Sequence, residues 1–251
     1  MSKVYFTDMR TSFTENLPKK LTRLIDRAGL GTIGFDHKFV AIKIHFGEMG
    51  NLAYLRPQYA RALAAYIKER GGLPFLTDCN TLYVGSRKNA LEHIETAYIN
   101  GYTPYATGCQ VIIADGVRGT DEAYIPIGCE EVKTAKIGRA IADADIIISL
   151  NHFKGHEDAG FGGALKQLSI GCASSYGKAY IHGAGEPEKI WTGDHDSFLE
   201  SMADAAEAVV RHFNGNMVFI NVMKNMSVDC DCCSVAEDPC MADIGILASL
   251  D

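Results

Sequence analysis

Two histidines, two lysines and four glycines are grouped near the middle of the chain. Residues 152–156 are HFKGH, and residues 160–166 are GFGGALK. Imidazoles can bind a metal ion or transfer a proton, and lysine ammonium groups can hold an anion. The glycines allow backbone N–H groups to approach a ligand closely. We therefore predict a binding or catalytic loop in this part of the chain.

The loop lies between a predicted strand and a predicted helix, as active-site loops of α/β proteins do. Residues 144–150 form an apolar run short enough for a buried strand, and residues 164–172 have the pattern of a helix start. In α/β proteins, ligands bind beside the carboxyl ends of the strands. The loop therefore lies where such a fold places its active site.

Polar residues also follow the other predicted strands. These residues are His45, Asp78 with Asn80, Asp115, and Lys224. Turn formation explains the aspartates and the asparagine as well as a site does, because these residue types are common in turns. It explains the histidines and Lys154 less well, so we expect those residues to serve the site.

Two sets of site residues follow from this pattern. His45, His152, Lys154 and His156 are predicted to be catalytic, as metal ligands or general bases. Asp78, Asn80, Asp115, Gly162, Gly163 and Lys166 are predicted to bind or orient an anionic substrate. The glycine cluster has neither the Walker order nor G-x-G-x-x-G, so it does not indicate a nucleotide site.

A second group of chemically active residues lies near the end of the chain. It contains Cys230, Cys232, Cys233 and Cys240, which we predict to be metal ligands. Zinc and iron–sulfur sites commonly use C-x-x-C spacing, whereas this group has C-x-C-C. Three interpretations remain open: metal ligation by two or three of the cysteines with a histidine, a redox or disulfide role, and loop thiols without chemistry.

The composition limits the partners of the protein. The net charge of −7 and the pI of about 5.6 argue against nucleic acid or an anionic membrane as the main partner. Local lysines can still bind a small anion. No signal peptide and no apolar stretch of about 18 residues is visible, so we expect a cytoplasmic protein with reduced thiols.

Alternating apolar runs and helical patterns predict a single α/β domain over residues 1–251. The predicted strands are residues 39–44, 74–77, 111–114, 146–150, 217–222 and 244–248; the predicted helices are residues 17–28, 57–70, 87–100, 136–142 and 198–213. This order predicts a mainly parallel sheet flanked by helices on both faces, in Rossmann-like layers. Residues 123–127 and 131–133, on either side of Gly128, predict a small β-hairpin beside the sheet.

Four segments resemble the domain-of-unknown-function 362 family, whose members are often labelled uncharacterised iron–sulfur-centre proteins. The segments are residues 41–48, 76–83, 113–116 and 152–156. The resemblance covers residues 1–182 and 217–251, and it implies a bacterial or archaeal cytoplasmic protein of unresolved chemistry. Cys230 and Cys232 match a family motif that has no established role.

The chain departs from this family after His182. Typical members carry a ferredoxin-like module there with two cysteine quartets, whereas residues 183–215 contain no cysteine and have the pattern of a loop and a helix. The usual pair of [4Fe–4S] clusters is therefore not expected. The family also resembles, distantly, the nickel-dependent lactate racemase group, which implies an analogy of fold and not of function.

These observations predict an enzyme that carries out a metal-assisted or redox reaction on a small anionic metabolite. The metal is expected to be iron, zinc or nickel, which the sequence does not distinguish. The alternative is a non-catalytic scaffold that carries a metal or cofactor, or transfers electrons to a partner protein, through the cysteine group of residues 230–240. A third interpretation is a structural protein whose site has decayed.

Overall fold

Seven strands form the central sheet, and those at its centre are runs of Val, Ile and Leu. They are β1 (Tyr5–Asp8), β2 (Phe39–Lys43), β3 (Leu73–Asp78), β4 (Gln110–Ile113), β7 (Ile146–His152), β10 (Met217–Met223) and β11 (Gly245–Ser249). The computed structural model describes residues 2–191, 193–235 and 239–250. The strand order is β1-β11-β10-β7-β2-β3-β4, with β10, β7, β2, β3 and β4 parallel to one another. β11 pairs antiparallel with both β10 and β1.

Helices and two small hairpins surround this sheet. The helices are α1 (Leu17–Ala28), α2 (Pro57–Lys68), α3 (Ala90–Ile99), α4 (Pro104–Thr107), α5 (Arg139–Ala142), α6 (Ala164–Leu168), α7 (Ser175–His182) and α8 (His195–Phe213). One hairpin pairs β5 (Glu122–Pro126) with β6 (Thr134–Gly138), and the other pairs β8 (Lys154–His156) with β9 (Gly160–Gly162). None of the described helices combines the length and apolarity needed to cross a bilayer.

Both faces of the sheet are covered, as the β7 strand demonstrates. All seven residues of β7 are buried. Ile148 packs in the core on the side of α1 and α2, whereas Ile147 packs in the core on the side of α8. A strand buried on both faces needs apolar side chains at successive positions and not at alternate ones. The predicted α/β fold with helices on both faces is confirmed.

The order of the strands creates a crevice between β2 and β7. From β2 the chain continues to β3 and β4 on one side, and β7 then pairs with β2 on the other side. The connections that leave the ends of β2 and β7 therefore diverge, which opens a space between them. The residues after these two strands lie beside this space.

Residues 134–142 differ from their predicted structure. The helix expected over residues 136–142 begins only at Arg139, because residues 134–138 form β6. Ala135 and Ile137 point into the core while Lys136 points outward, which is the alternation of a strand. The predicted hairpin exists, but its second strand is β6 and not residues 131–133.

We expect the parallel core to carry much of the stability. Ile148→Ala, at a fully buried position in β7, should lower the free energy of unfolding by about 2–5 kcal/mol, because it removes buried methyl groups and leaves a cavity. The matched control is Ile112→Ala in β4, where the side chain is 41% exposed. This variant should lower the free energy of unfolding by less than about 1.5 kcal/mol. Urea denaturation measures both; equal losses would contradict this packing.

Candidate functional site

Two neighbouring cavities lie at the carboxyl edge of the sheet. The inner cavity has a volume of about 60 Å³, and the outer cavity has a volume of about 430 Å³. Predicted site residues that line the inner cavity are His45, Asp78, His152, Lys154, Gly162, Gly163, Lys166, Cys230 and Cys232. The two cavities share Tyr83, Lys166, Ile170, Lys178, Cys230 and Cys232 as walls. The two cavities are therefore neighbours, with these side chains between them.

Asp231 holds the cysteine loop against the end of β7. Its Oδ1 lies 2.8 Å from Nδ1 of His152, and its Oδ2 accepts a hydrogen bond from Nζ of Lys154 at 3.1 Å. Burial alone would raise the pKa of Asp231, but the positive charge of Lys154 and the contact with His152 outweigh burial and hold that pKa well below its usual range. Asp231 is therefore an ionised carboxylate inside the protein.

Both ring nitrogens of His152 face acceptors. Nε2 lies 2.7 Å from the backbone oxygen of Lys224, and Nδ1 faces the Asp231 carboxylate. The two acceptors are both satisfied only if both nitrogens carry hydrogen. His152 then has no nitrogen left to bind a metal or accept a proton, so its geometry favours a positioning role over the predicted catalytic one.

A second buried carboxylate, Asp78, lies among three basic side chains. Its Oδ1 is 2.9 Å from Nζ of Lys43, and its Oδ2 is 3.8 Å from Nη1 of Arg87 and 3.6 Å from Nε2 of His93. Burial would raise the pKa of Asp78, but Lys43 and His93 lower it well below its usual range. Arg87 in turn donates from Nε to Glu48 at 3.1 Å.

His45 follows β2 and contributes a neutral imidazole to the inner cavity. Its Nδ1 accepts the backbone N–H of Gly47 at 3.0 Å. Burial and the charge of Arg87 lower the pKa of His45 well below its usual range, so the ring is neutral. A neutral ring whose Nδ1 accepts must carry its hydrogen on Nε2. In this tautomer His45 is a hydrogen-bond donor, and the predicted role as a base or metal ligand through Nε2 would require its hydrogen to move to Nδ1.

Asn80 and Asp115 connect loops outside the two cavities. The Asp115 carboxylate accepts from the backbone N and Nδ2 of Asn80, each at 3.0 Å, and from the backbone N of Ser175 at 3.2 Å. These bonds join the loops after β3 and β4 to the start of α7. The turn interpretation therefore fits both residues better than substrate binding does.

Cys230, Cys232 and His156 form a group of candidate metal ligands. Their ligand atoms all lie within 4.8 Å of one another, and Lys166 Nζ lies 3.8 Å from Cys230 Sγ. A hydrogen bond from Cys232 and the charge of Lys166 lower the pKa of Cys230 well below its usual range, against the effect of burial. The same hydrogen bond and burial raise the pKa of Cys232. These opposite shifts favour ionisation of Cys230 over that of Cys232.

The other two predicted cysteine ligands lie apart from this group. Cys233 is exposed and donates its backbone N–H to Cys230 O at 3.0 Å, which closes a turn. Cys240 is also exposed, and its backbone N lies 2.9 Å from the oxygen of Met226. Among the described residues, the arrangement matches the interpretation of two cysteines with a histidine, and not four cysteines.

Glycines allow the hairpin of β8 and β9 to approach its neighbours. A Cβ atom at Gly155 would lie 1.9 Å from the backbone oxygen of Val228, and one at Gly162 would lie 2.8 Å from Cε of Lys154. Gly163 precedes α6, which has only five residues. Gly155 and Gly162 therefore provide space for the cysteine loop and for Lys154, which the sequence alone did not indicate.

Aromatic rings form one wall of the outer cavity. His182 stacks on Phe198 at 4.8 Å between ring centres, and its ring lies 4.6 Å from that of Trp191. Burial lowers the pKa of His182 to about 4. Trp191 is 60% exposed, on the outer side of this wall. His182 thus returns to the site region, but at the outer cavity.

Sequence reasoning missed Lys43, Glu48, Arg87, Asp231 and Tyr83, all of which contact the site. Lys43 carried a signal, because it is a charged residue inside the apolar run of β2 and is fully buried. Asp231 carried a weaker signal, because it separates the two cysteines. Tyr83 ends a segment of family resemblance and Arg87 begins a predicted helix, but neither pattern places its side chain at the site.

Comparison with known proteins identifies a family and a fold. The sequence model of the family described as "Domain of unknown function (DUF362)" matches residues 40–251, which confirms the resemblance over that range. A thylakoid-associated protein of Synechocystis sp. is 26% identical over 164 residues, which are 64% of this chain and 44% of that protein. The chain thus spans less than half the length of this relative.

Two solved structures resemble the fold. The lactate racemase apoprotein from Thermoanaerobacterium thermosaccharolyticum has a TM-score of 0.53 and 14% identity, over 80% of this chain and 48% of that chain. A protein from Thermotoga maritima has a TM-score of 0.51 and 17% identity, over 82% of this chain and 49% of that chain. At these identities the likeness concerns the fold alone.

Removal of the Asp231 charge should destabilise the protein. Asp231→Asn should lower the free energy of unfolding at pH 7 by about 3–5 kcal/mol, because it leaves buried Lys154 and His152 without their anionic partner. Folding lowers the pKa of Asp231, so its contribution is present above the unfolded carboxyl pKa of about 4 and is lost as the pH falls below that value. The difference from wild type should therefore shrink in acid.

Urea denaturation between pH 7 and pH 3 measures this effect. The matched control is Asp36→Asn, because the Asp36 side chain is 79% exposed and its carboxylate lies 3.8 Å from Nε2 of His37. Its effect should stay within about 0.5 kcal/mol. An Asp231→Asn protein as stable as this control at pH 7 would contradict the proposed role of the carboxylate.

Proposed function

Because the chain belongs to the domain-of-unknown-function 362 family, whose name states no activity, we propose its function from its own residues: it is an enzyme that acts, with a metal ion, on a small anionic metabolite. The observation that carries this proposal is the position of the group Cys230, Cys232 and His156. The two cysteines lie on the wall that joins a basic inner cavity to a wider outer one.

The donor set of this group fits a borderline or soft metal ion. Thiolate and imidazole ligands suit zinc, nickel and iron, whereas magnesium and calcium prefer oxygen. Three protein ligands leave a coordination position for substrate or water, as catalytic zinc sites do. When bound, the metal would act as a Lewis acid on the substrate.

His156 needs one change before it can bind a metal. Its Nδ1 accepts the backbone N–H groups of Asp158 at 3.1 Å and Ala159 at 3.2 Å. Nε2 therefore carries the hydrogen of the neutral ring. A metal ion at Nε2 would require this hydrogen to move to Nδ1, which would then no longer accept from Asp158 and Ala159, and the thiol proton of Cys232 would be released to solvent.

Basic side chains supply the attraction for an anionic substrate. Lys154, Lys166 and Arg87 line the inner cavity, and all three are at least partly buried. Lys154 is fixed by Asp231, so Lys166 is the ammonium group best placed to hold or transfer a proton beside the thiolate of Cys230. His45 contributes an N–H donor at the opposite strand end.

The comparisons support this proposal only at the level of the fold. The fold neighbour from Thermoanaerobacterium is a lactate racemase apoprotein, and an apoprotein fold of this kind is compatible with a metal-assisted role. We further propose the cytoplasm as the compartment, since eight free cysteines need a reducing environment.

A second candidate function is a non-catalytic scaffold that passes a metal or electrons to a partner protein. The exposure of Cys233 and the half-exposed position of Cys232 favour it, because a partner can reach these thiols. The two candidates differ in their need for His156. A scaffold that depends on cysteines alone would keep its metal when His152 and His156 are both replaced.

We expect metal binding to depend on Cys230 and Cys232. The double variant Cys230→Ser, Cys232→Ser should fall from about one metal ion per chain to almost none, because serine is a much weaker ligand for soft metals. Cys233→Ser is the matched control in the same loop and should keep its metal, since Cys233 lies outside the group. His156→Ala should retain less metal than wild type.

Elemental analysis of anaerobically purified protein, followed by equilibrium dialysis with zinc, measures these contents. Wild-type protein that holds neither iron, zinc nor nickel, and does not bind added zinc, would rule out the metal part of the proposal. Loss of metal in Cys233→Ser would show that the ligand set is wrong. Full metal content without both histidines would favour the scaffold.

A further inference from the structure

We infer that the substrate is a monocarboxylate with an uncharged apolar body: its carboxylate lies between Arg87 and His45 in the inner cavity, and its body lies against Trp191 in the outer cavity. This inference rests on the proposed function and names the class of metabolite that the same site accepts. Its basis is that the inner cavity has charged side chains in its walls, whereas apolar and aromatic side chains form much of the outer cavity.

Arg87 has hydrogen-bonding capacity that the protein does not use. Its side chain is 2% exposed and lines the inner cavity. Nε donates to Glu48 at 3.1 Å, but Nη2 is buried and has no hydrogen-bond partner among the described residues. A buried guanidinium N–H without an acceptor is unfavourable. An anion that enters the inner cavity can supply this acceptor, in a charge-assisted hydrogen bond.

His45 provides a second donor to the same cavity. His45 is partly exposed and lines that space. Gly47 occupies Nδ1, which leaves the hydrogen on Nε2. A planar carboxylate has two oxygens, so one can accept from Arg87 and the other from His45.

The size of the inner cavity and the carboxylate of Asp78 in its wall favour a carboxylate head group over a dianionic phosphate. Its volume of about 60 Å³ admits a group of a few heavy atoms. Asp78 also lines it as a carboxylate. A dianionic phosphate would be repelled by Asp78 more strongly than a monoanionic carboxylate would be. The head group of the substrate is therefore a carboxylate.

The outer cavity favours an uncharged apolar body. Leu82, Tyr83, Ile170 and Trp191 contribute apolar or aromatic surface to its walls. Trp191 is 60% exposed, so its ring offers a face for a flat apolar group. Glu157 and Asp158 also line this cavity. Their negative charges oppose a second carboxylate at the far end of the substrate.

Four probe anions test this inference by isothermal titration calorimetry. Benzoate is a carboxylate with a flat apolar body, acetate lacks the body, terephthalate adds a second carboxylate, and inorganic phosphate replaces the head group. EDTA-treated protein is used, so that binding does not depend on a metal. We expect benzoate to bind most tightly, by about tenfold over acetate, because it buries additional apolar surface.

Matched variants separate the two ends of the site. Trp191→Ala should weaken benzoate to about the level of acetate and leave acetate unchanged, whereas Tyr105→Ala, at a 97% exposed aromatic in α4, should change neither. His45→Phe should weaken both carboxylates by about tenfold. His45→Gln should retain most of the affinity, because its amide places an N–H donor close to the position of Nε2.

The outcomes distinguish the inference from the function on which it rests. Phosphate or terephthalate that binds as tightly as benzoate would overturn the inference while leaving an anion-binding enzyme in place. Unchanged benzoate affinity in Trp191→Ala, or in His45→Phe, would overturn it as well. If none of the four anions binds, the anionic substrate of the proposed function falls together with the inference, whatever the metal analysis gives.

Discussion

The site depends on one buried carboxylate, that of Asp231. Its oxygens contact His152 and Lys154, and its backbone oxygen accepts the N–H of Glu48 at 2.8 Å. One residue thus joins the cysteine loop to the end of β7, to β8 and to the loop after β2. Because Asp231 lies between Cys230 and Cys232 in the sequence, any shift of its side chain would move both sulfur atoms.

The buried charges around Asp231 and Asp78 add little to the stability of the fold, and we attribute their presence to the site. An ion pair inside a protein gains little stability over an apolar pair of the same size, since both ions lose their hydration. Lys43 and Arg87 are nevertheless fully buried beside carboxylates. Such pairs fix polar groups in a dry space, where their fields act on a ligand more strongly than they would in water.

The sequence predicted the layers of the fold better than the details of the site. Apolar runs such as residues 146–150 identify a buried strand because their pattern is local, and β7 differs from the prediction mainly at its end, His152. Residues 136–138 were misassigned because a short apolar segment fits a strand or a helix equally. Arg87 could not be found, because its importance arises from contacts with Glu48 and Asp78, which lie far from it in the sequence.

Three histidines illustrate why residue type alone does not determine a role. His45, His152 and His156 all follow or flank strand ends, and the sequence treats them alike. In the structure, Nδ1 of His45 and of His156 accept backbone N–H groups, whereas both nitrogens of His152 face acceptors. The first two rings line the cavities with their hydrogen on Nε2, and the third is held as a positioning group. The hydrogen-bond partners of each ring, two or three residues away for His45 and His156 but more than 70 residues away for His152, decide whether the imidazole can meet a substrate, a metal or neither.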